Sequence, residues 1–179
     1  MYYPRAGTQH YFVPLLPPQG LEFMQIVNRQ AAETGDAGRS VLACEARGFG
    51  LFSWAVVVND LEAVSHRLGI PIDDYTISHG DGTLRGWRTV SGPDHLPFFI
   101  DYPNNGDRKG RLRAMYERVG HAREVHHFSM LTIEGDEREM QDWLGPNDLP
   151  LRFHGGTTGL IEAQISTTTG PVLIPQKRA

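Results

Sequence analysis

The chain has 179 residues, 40% of them apolar and 21% charged, with a formal net charge of −4. That length suffices for a buried core and that composition excludes a disordered chain. With 21 Asp and Glu against 17 Lys and Arg, a protein that clamps nucleic acid by neutralising phosphates is also excluded. No apolar run reaches the length of a membrane span, and the opening residues lack the basic start and apolar centre of a signal peptide. Cys44 has no second cysteine to pair with, so a thiolate metal cage is excluded and the expected setting is cytoplasmic.

In chain order, Gly7 to Leu15 reads as a hairpin strand, Pro17 and Pro18 as a turn, and Leu21 to Val27 as a closing strand. Asn28 to Arg47 reads as a polar connector with weak helical character. The next stretch, Phe52 to Asp60, is similar without gaps to Phe128 to Asp136, and each runs eight further residues to a Leu-Gly pair, Leu68-Gly69 and Leu144-Gly145. Each copy predicts a strand, an Asp N-cap and a short amphipathic helix closed by glycine, because a carboxylate at the cap satisfies orphan N–H groups at the positive helix end.

A hairpin follows each helix. In the first copy Tyr75 to His79 and Thr83 to Val90 flank a Gly80-Asp81-Gly82 turn, and Pro97 to Tyr102 closes the unit. The counterparts in the second copy are Leu151 to His154, Gly159 to Ser166 and Pro171 to Pro175. Between the copies, Arg111 to Arg123 predicts a charged helix with Leu112, Met115, Tyr116 and Val119 on one face. The expected fold class is α+β, a single domain of repeated βαβββ units. Residues 1–27 form the second half of an incomplete unit lacking its first strand and helix, and residues 51–103 and 126–176 are complete units.

This pattern resembles the glyoxalase-like branch of the vicinal-oxygen-chelate superfamily. The resemblance runs from Gly7-Thr8 through Leu21-Glu22, the Phe52 strand with Asp60-Leu61, Asp81-Gly82 with Leu84 to Arg88, and Leu96 to Ile100. It implies a curved mixed sheet around a concave face that holds a small ligand. It also implies a divalent ion, iron, zinc, nickel or manganese, held by imidazole and carboxylate groups and polarising vicinal oxygens of a substrate.

Glu22 and Asp101 occupy equivalent places in the closing strands of consecutive units, Glu22 sharing a face with Met24 and Ile26, Asp101 with Phe99. They are the candidate catalytic residues and, with His126, the candidate metal ligands. At the opening-strand positions stand Trp54 and Met130, poor ligands for a hard ion, so a complete four-ligand site is not expected in this chain alone. His126 shares the Met130 face, whereas His127 shares that of Leu131 and Ile133, which is expected to pack under helices. His10, His79, His95 and His154 fall in hairpin strands or turns and read as solvated edge residues.

Trp54, Arg85, Trp87 and Phe99 are the candidate ligand-binding residues: aromatic walls, with Arg85 available for a substrate carboxylate. No Gly-x-Ser-x-Gly elbow surrounds Ser53 or Ser129, Gly48-Phe49-Gly50 precedes a strand and is no dinucleotide loop, and Cys44 has no fixed basic partner. Two functions follow as expectations. One is a metal-assisted isomerase, lyase or dioxygenase acting on a small oxygenated compound. The other is a non-catalytic binding protein using the same face, where Trp54, Phe99 and Trp87 form an aromatic cup. In either case the partners expected are a small molecule and a second copy of the chain, because an unpaired sheet edge invites dimerisation.

Overall fold

A computed structural model of the chain describes residues 1–46, 48, 50–78, 84–103, 107–157 and 159–175, with the backbone alone at 36, 77, 78, 84 and 85. The expected Gly80 to Gly82 turn and His79 lie outside the described residues. The elements run β1 (Tyr2–Tyr3), a 3-10 turn (Pro4–Ala6), β2 (Thr8–Pro14), β3 (Gly20–Ile26), α1 (Arg29–Thr34), α2 (Asp36–Ala46), β4 (Ala55–Val57), α3 (Leu61–Leu68), β5 (Asp73–Ser78), β6 (Leu84–Val90), β7 (Phe98–Asp101), α4 (Arg108–Val119), β8 (Val125–Glu134), α5 (Glu137–Leu144), β9 (Leu151–His154), β10 (Gly159–Thr167) and β11 (Val172–Pro175). The strands form three sheets, β1-β2-β3, β4-β7-β6-β5 and β11-β10-β8-β9.

The helix signals act as their chemistry requires. Asp60 Oδ1 accepts the Ala63 N–H at 2.8 Å and Asp136 Oδ1 accepts that of Glu139 at 2.9 Å, and Gly69 and Gly145 end the two helices at positive φ. The stretch read as a polar connector is more ordered than expected. Asn28 caps α1 through Ala31 N–H, and Ala32, Val41 and Cys44 give α1 and α2 an apolar contact too sparse to register as periodicity. Of the face expected for α4, Leu112 is buried while Val119 is 51% exposed.

The two βαβββ units share their order of elements but not their order of strands. In the first, β4 is an edge strand parallel to β7. In the second, β8 lies inside its sheet, antiparallel to β10 and parallel to β9. Length accounts for the difference: β8 has ten residues against three in β4, enough backbone to serve partners on both edges. The start of β8 takes up the tip of the first hairpin, with Leu16 N–H donating to His126 O at 2.6 Å and Phe128 N–H donating to Gln19 Oε1 at 2.7 Å.

The core gathers side chains of the two four-stranded sheets and of helices α3 and α5. Leu61, Val90 and Phe99 from one unit join Leu131, Ile133, Met140, Trp143, Leu144, Leu160 and Ala163 from the other. The Phe99 and Trp143 rings lie 5.9 Å apart, and Trp143 Nε1–H donates to Pro97 O at 2.8 Å. Arg67, in the last turn of α3, donates to the C-terminal carbonyls of α5: Asp142 O at 2.9 Å, Trp143 O at 2.8 Å and Leu144 O at 3.4 Å. One guanidinium thus satisfies carbonyls that α5 cannot pair internally and meets the negative end of that helix.

Arg67→Ala is expected to lower unfolding free energy by about 1.5–3 kcal/mol, the range for hydrogen bonds to a charged group. Arg138→Ala, which removes an ion pair with Asp142 four residues on from a side chain that is 91% exposed, should cost less than about 0.5 kcal/mol. Urea unfolding of both variants checks the contrast, and equal effects would refute the locking role of Arg67.

Candidate functional site

The first hairpin presents two faces set by its register. Thr8 pairs with Ile26, His10 with Met24 and Phe12 with Glu22, so all six side chains project to one side. Gly7 makes the hairpin's start possible: it sits at φ +61, and a Cβ there would lie 2.1 Å from Asn28 O, so only glycine lets α1 approach this closely. Thr8 is fully buried, and its hydroxyl is 2.9 Å from His10 Nε2. His10 Nδ1 is 2.7 Å from Glu22 Oε1.

Both ring nitrogens of His10 are therefore occupied. A neutral ring donates Nδ1–H to Glu22 and accepts the Thr8 O–H, and a protonated ring donates from both nitrogens. His10 acts as a positioning residue for Glu22, whose side chain is 42% exposed.

Aromatic rings carry this hairpin onto the second sheet. Tyr3 lays its ring against His10 with centroids 4.2 Å apart. Its edge meets Trp87 of β6 at 6.4 Å and 83°, and Trp87 stacks on Tyr75 of β5 at 5.5 Å and 11°. Tyr75 and Trp87 are register partners, so their stacking follows from strand pairing. Tyr102, just past β7, has the Arg108 guanidinium 4.3 Å over its ring.

Burial pushes the Tyr3 phenol up to about 12, with the charge of Glu22 and then Tyr102 adding to it. Burial also raises Tyr102 against the opposing influence of Arg108. Both phenols stay protonated at neutral pH, and the Tyr102 oxygen accepts a hydrogen bond from Arg108. The face thus combines aromatic walls, phenolic and guanidinium groups, and one carboxylate acceptor.

Asp101 stands on the opposite side of the same sheet. It is the register partner of Arg88, whose neighbour Trp87 projects the other way by strand alternation. Arg88 grips Asp101 at 3.1 Å and 2.5 Å and reaches Glu62 of α3 at 2.5 Å and 3.3 Å. These bonds, Asp101 first, hold the guanidinium proton more firmly than usual, and Arg88 holds Glu62 below the usual carboxylate range. Arg88 therefore tethers the sheet to α3, and Asp101 fixes its guanidinium from the neighbouring strand.

Phe99 is 2% exposed, and Trp54 packs against the same core cluster. Neither shares a face with Trp87, so the expected aromatic cup of Trp54, Phe99 and Trp87 is divided by the sheet. The Arg85 side chain lies outside the described residues. His126 is in the third sheet, 3.8 Å from Glu124 and beside His127.

The residues expected to hold a divalent ion thus each keep a separate partner: His10 for Glu22, Arg88 for Asp101, Glu124 for His126. Among the described residues no three His, Cys, Asp or Glu side chains gather into a metal-ligand group. Taken together, Glu22, Asp101 and His126 do not fit one ion. His10 is the residue that sequence reasoning set aside. The usable signal was the hairpin register, which puts it diagonal to Glu22. Tyr3, Tyr102 and Arg108 are brought in by tertiary packing and carry no local signal. His95 meets Glu139 at 3.2 Å, and Cys44 is buried.

Above pH 10 an unfolded tyrosine loses its proton, while folded Tyr3 keeps its own up to about 12. The folded chain then binds more protons than the unfolded one, so stability falls as pH rises through that window. Tyr3→Phe should flatten this alkaline decline in urea unfolding. An unchanged slope would contradict the burial of the phenol.

No helix among the described residues is long and apolar enough to cross a membrane. Comparison with curated proteins and with solved structures gave no match. A sequence profile described as a glyoxalase-like domain matches residues 2–146, spanning the hairpin with His10 and Glu22, the complete unit with Trp87 and Asp101, and α5. The α+β architecture with its several sheets agrees with that match, and the chain belongs to the glyoxalase-like domain family.

Proposed function

We propose that this chain binds a small oxygenated compound on the face shared by the first hairpin and the β5-β6 pair. The observation that carries the reading is the unbroken run of rings from Tyr75 through Trp87 and Tyr3 to His10, ending on the Glu22 carboxylate. Tyr75 is 45% exposed and Glu22 42%, so the run is reached from solvent at both ends. Flat aromatic walls with a few fixed polar groups are the usual makings of a small-molecule site. Fold alone does not choose a reaction. The binding role is preferred over metal-assisted catalysis because Glu22 and Asp101 serve different partners on opposite sides of a sheet.

The same reading keeps the cytoplasm as the setting and a homodimer as the assembly. The outer face of the first hairpin supports the dimer, since Tyr2, Tyr11 and Phe23 are 52%, 49% and 53% exposed there. Sedimentation at increasing concentration measures it.

Calorimetric titration with catechol, a small oxygenated aromatic, tests the binding role. Trp87→Leu is expected to weaken saturable binding about five-fold or more, the worth of a lost aromatic stack, while Asp101→Asn leaves the affinity unchanged. Metal analysis of the purified protein supplies the opposing outcome. One equivalent of iron, zinc, nickel or manganese that is lost in both Glu22→Gln and Asp101→Asn would favour the metal-assisted enzyme instead.

A further inference from the structure

The disposition of charge around the ring cluster narrows the ligand, given the binding role proposed above. Among the described side chains, Arg67, Arg88 and Arg108 lie beside the second sheet, and the first two are committed. Arg67 is spent on the carbonyls of α5 and Arg88 on Asp101 and Glu62. Arg108 differs. The carbon of its guanidinium lies 4.3 Å from the centre of the Tyr102 ring, and among the described residues no carboxylate stands within ion-pair distance of it. A guanidinium carries five N–H donors, so its contact with Tyr102 leaves others for a second acceptor.

The other polar groups point to an anion with a single charge. Tyr3 and Tyr102 are protonated, and Glu22 is near enough to act on both phenols electrostatically. A second negative charge on the ligand would meet Glu22. It would also find little help from the start of α4, where Asp107 Oδ1 already accepts the Gly110 N–H at 2.8 Å. Phosphate sites draw on several free backbone N–H groups at a helix start, and here that end is capped by a carboxylate. A planar carboxylate suits the forked N–H donors of Arg108, and a flat hydrocarbon body suits the Tyr3, Trp87 and Tyr75 rings.

We infer that the site takes an aromatic monocarboxylate, its carboxylate on Arg108, its ring against Tyr3 and Trp87, and any N–H or O–H substituent donated to Glu22. Tyr102 holds the guanidinium in place beneath the carboxylate.

The test uses benzoate, benzamide as its uncharged isostere, and phenyl phosphate, titrated calorimetrically into wild type, Arg108→Gln, Arg108→Lys and Trp87→Leu. Benzoate is expected to bind wild type at least ten-fold more tightly than either benzamide or phenyl phosphate. Arg108→Gln should remove that advantage, Arg108→Lys should restore part of it, and Trp87→Leu should weaken all three probes. Urea midpoints within experimental error of wild type show that the Arg108 variants fold.

If benzamide binds as well as benzoate and both depend on Trp87, the binding face stands and the carboxylate assignment falls. Preference for phenyl phosphate overturns the assignment in the same way. If no probe binds, or Trp87→Leu changes nothing, the binding role fails together with it.

Discussion

Trp87 and Arg88 are neighbours in β6, and a strand must send neighbouring side chains to opposite faces. The organisation of the middle unit follows from that constraint. On one side Arg88 meets Asp101 in the adjacent strand and Glu62 in the covering helix, beside the buried Val90, Phe99 and Leu61. On the other side Trp87 meets Tyr75 and receives Tyr3 from the first hairpin. A buried carboxylate is tolerable only when paired, and Arg88 supplies that pairing for Asp101. The same pairing commits Asp101 to the helix side, away from any ligand on the Trp87 face.

The first hairpin is held at both ends. Its tip bonds to the backbone of β8 through Leu16 and Gln19, and its base meets the middle sheet through Tyr3. Its inner face carries Thr8, His10 and Glu22 in a hydrogen-bonded row, and its outer face leaves three aromatic side chains about half exposed. The helices that follow it, α1 and α2, contact the 3-10 turn and β3 and leave that outer face open. A site assembled from two sheets in this way is only as ordered as the contacts joining them, which puts Tyr3 at the centre of its precision.

Much of the architecture was legible in the sequence because its signals are local. Asp60 and Asp136 cap helices, Gly69 and Gly145 end them, and Leu131 and Ile133 lie buried on the helix-covered face of β8. The sharing of a face by Glu22, Met24 and Ile26 also follows from alternation, and the observed register agrees. Alternation sorts residues into two sets without saying which set the helix covers. Asp101 and Phe99 share a face as alternation requires, and that face lies under α3.

His10 escaped notice because a histidine weighed alone in a hairpin reads as an edge residue, and its meaning lies in its diagonal neighbour. The interior position of β8 was equally hidden, since similarity between Phe52–Asp60 and Phe128–Asp136 stops short of the strand length that decides it.

The ring contact of Tyr3 with Trp87, which brings the first hairpin to the middle sheet, is directly measurable. A double-mutant cycle in urea unfolding, with Tyr3→Leu, Trp87→Leu and the pair, should give a coupling of about 0.5–1.5 kcal/mol, the range for an aromatic edge contact. Additive effects, with no coupling beyond error, would show that Tyr3 and Trp87 do not meet and that the hairpin and the β5-β6 pair do not form a common site.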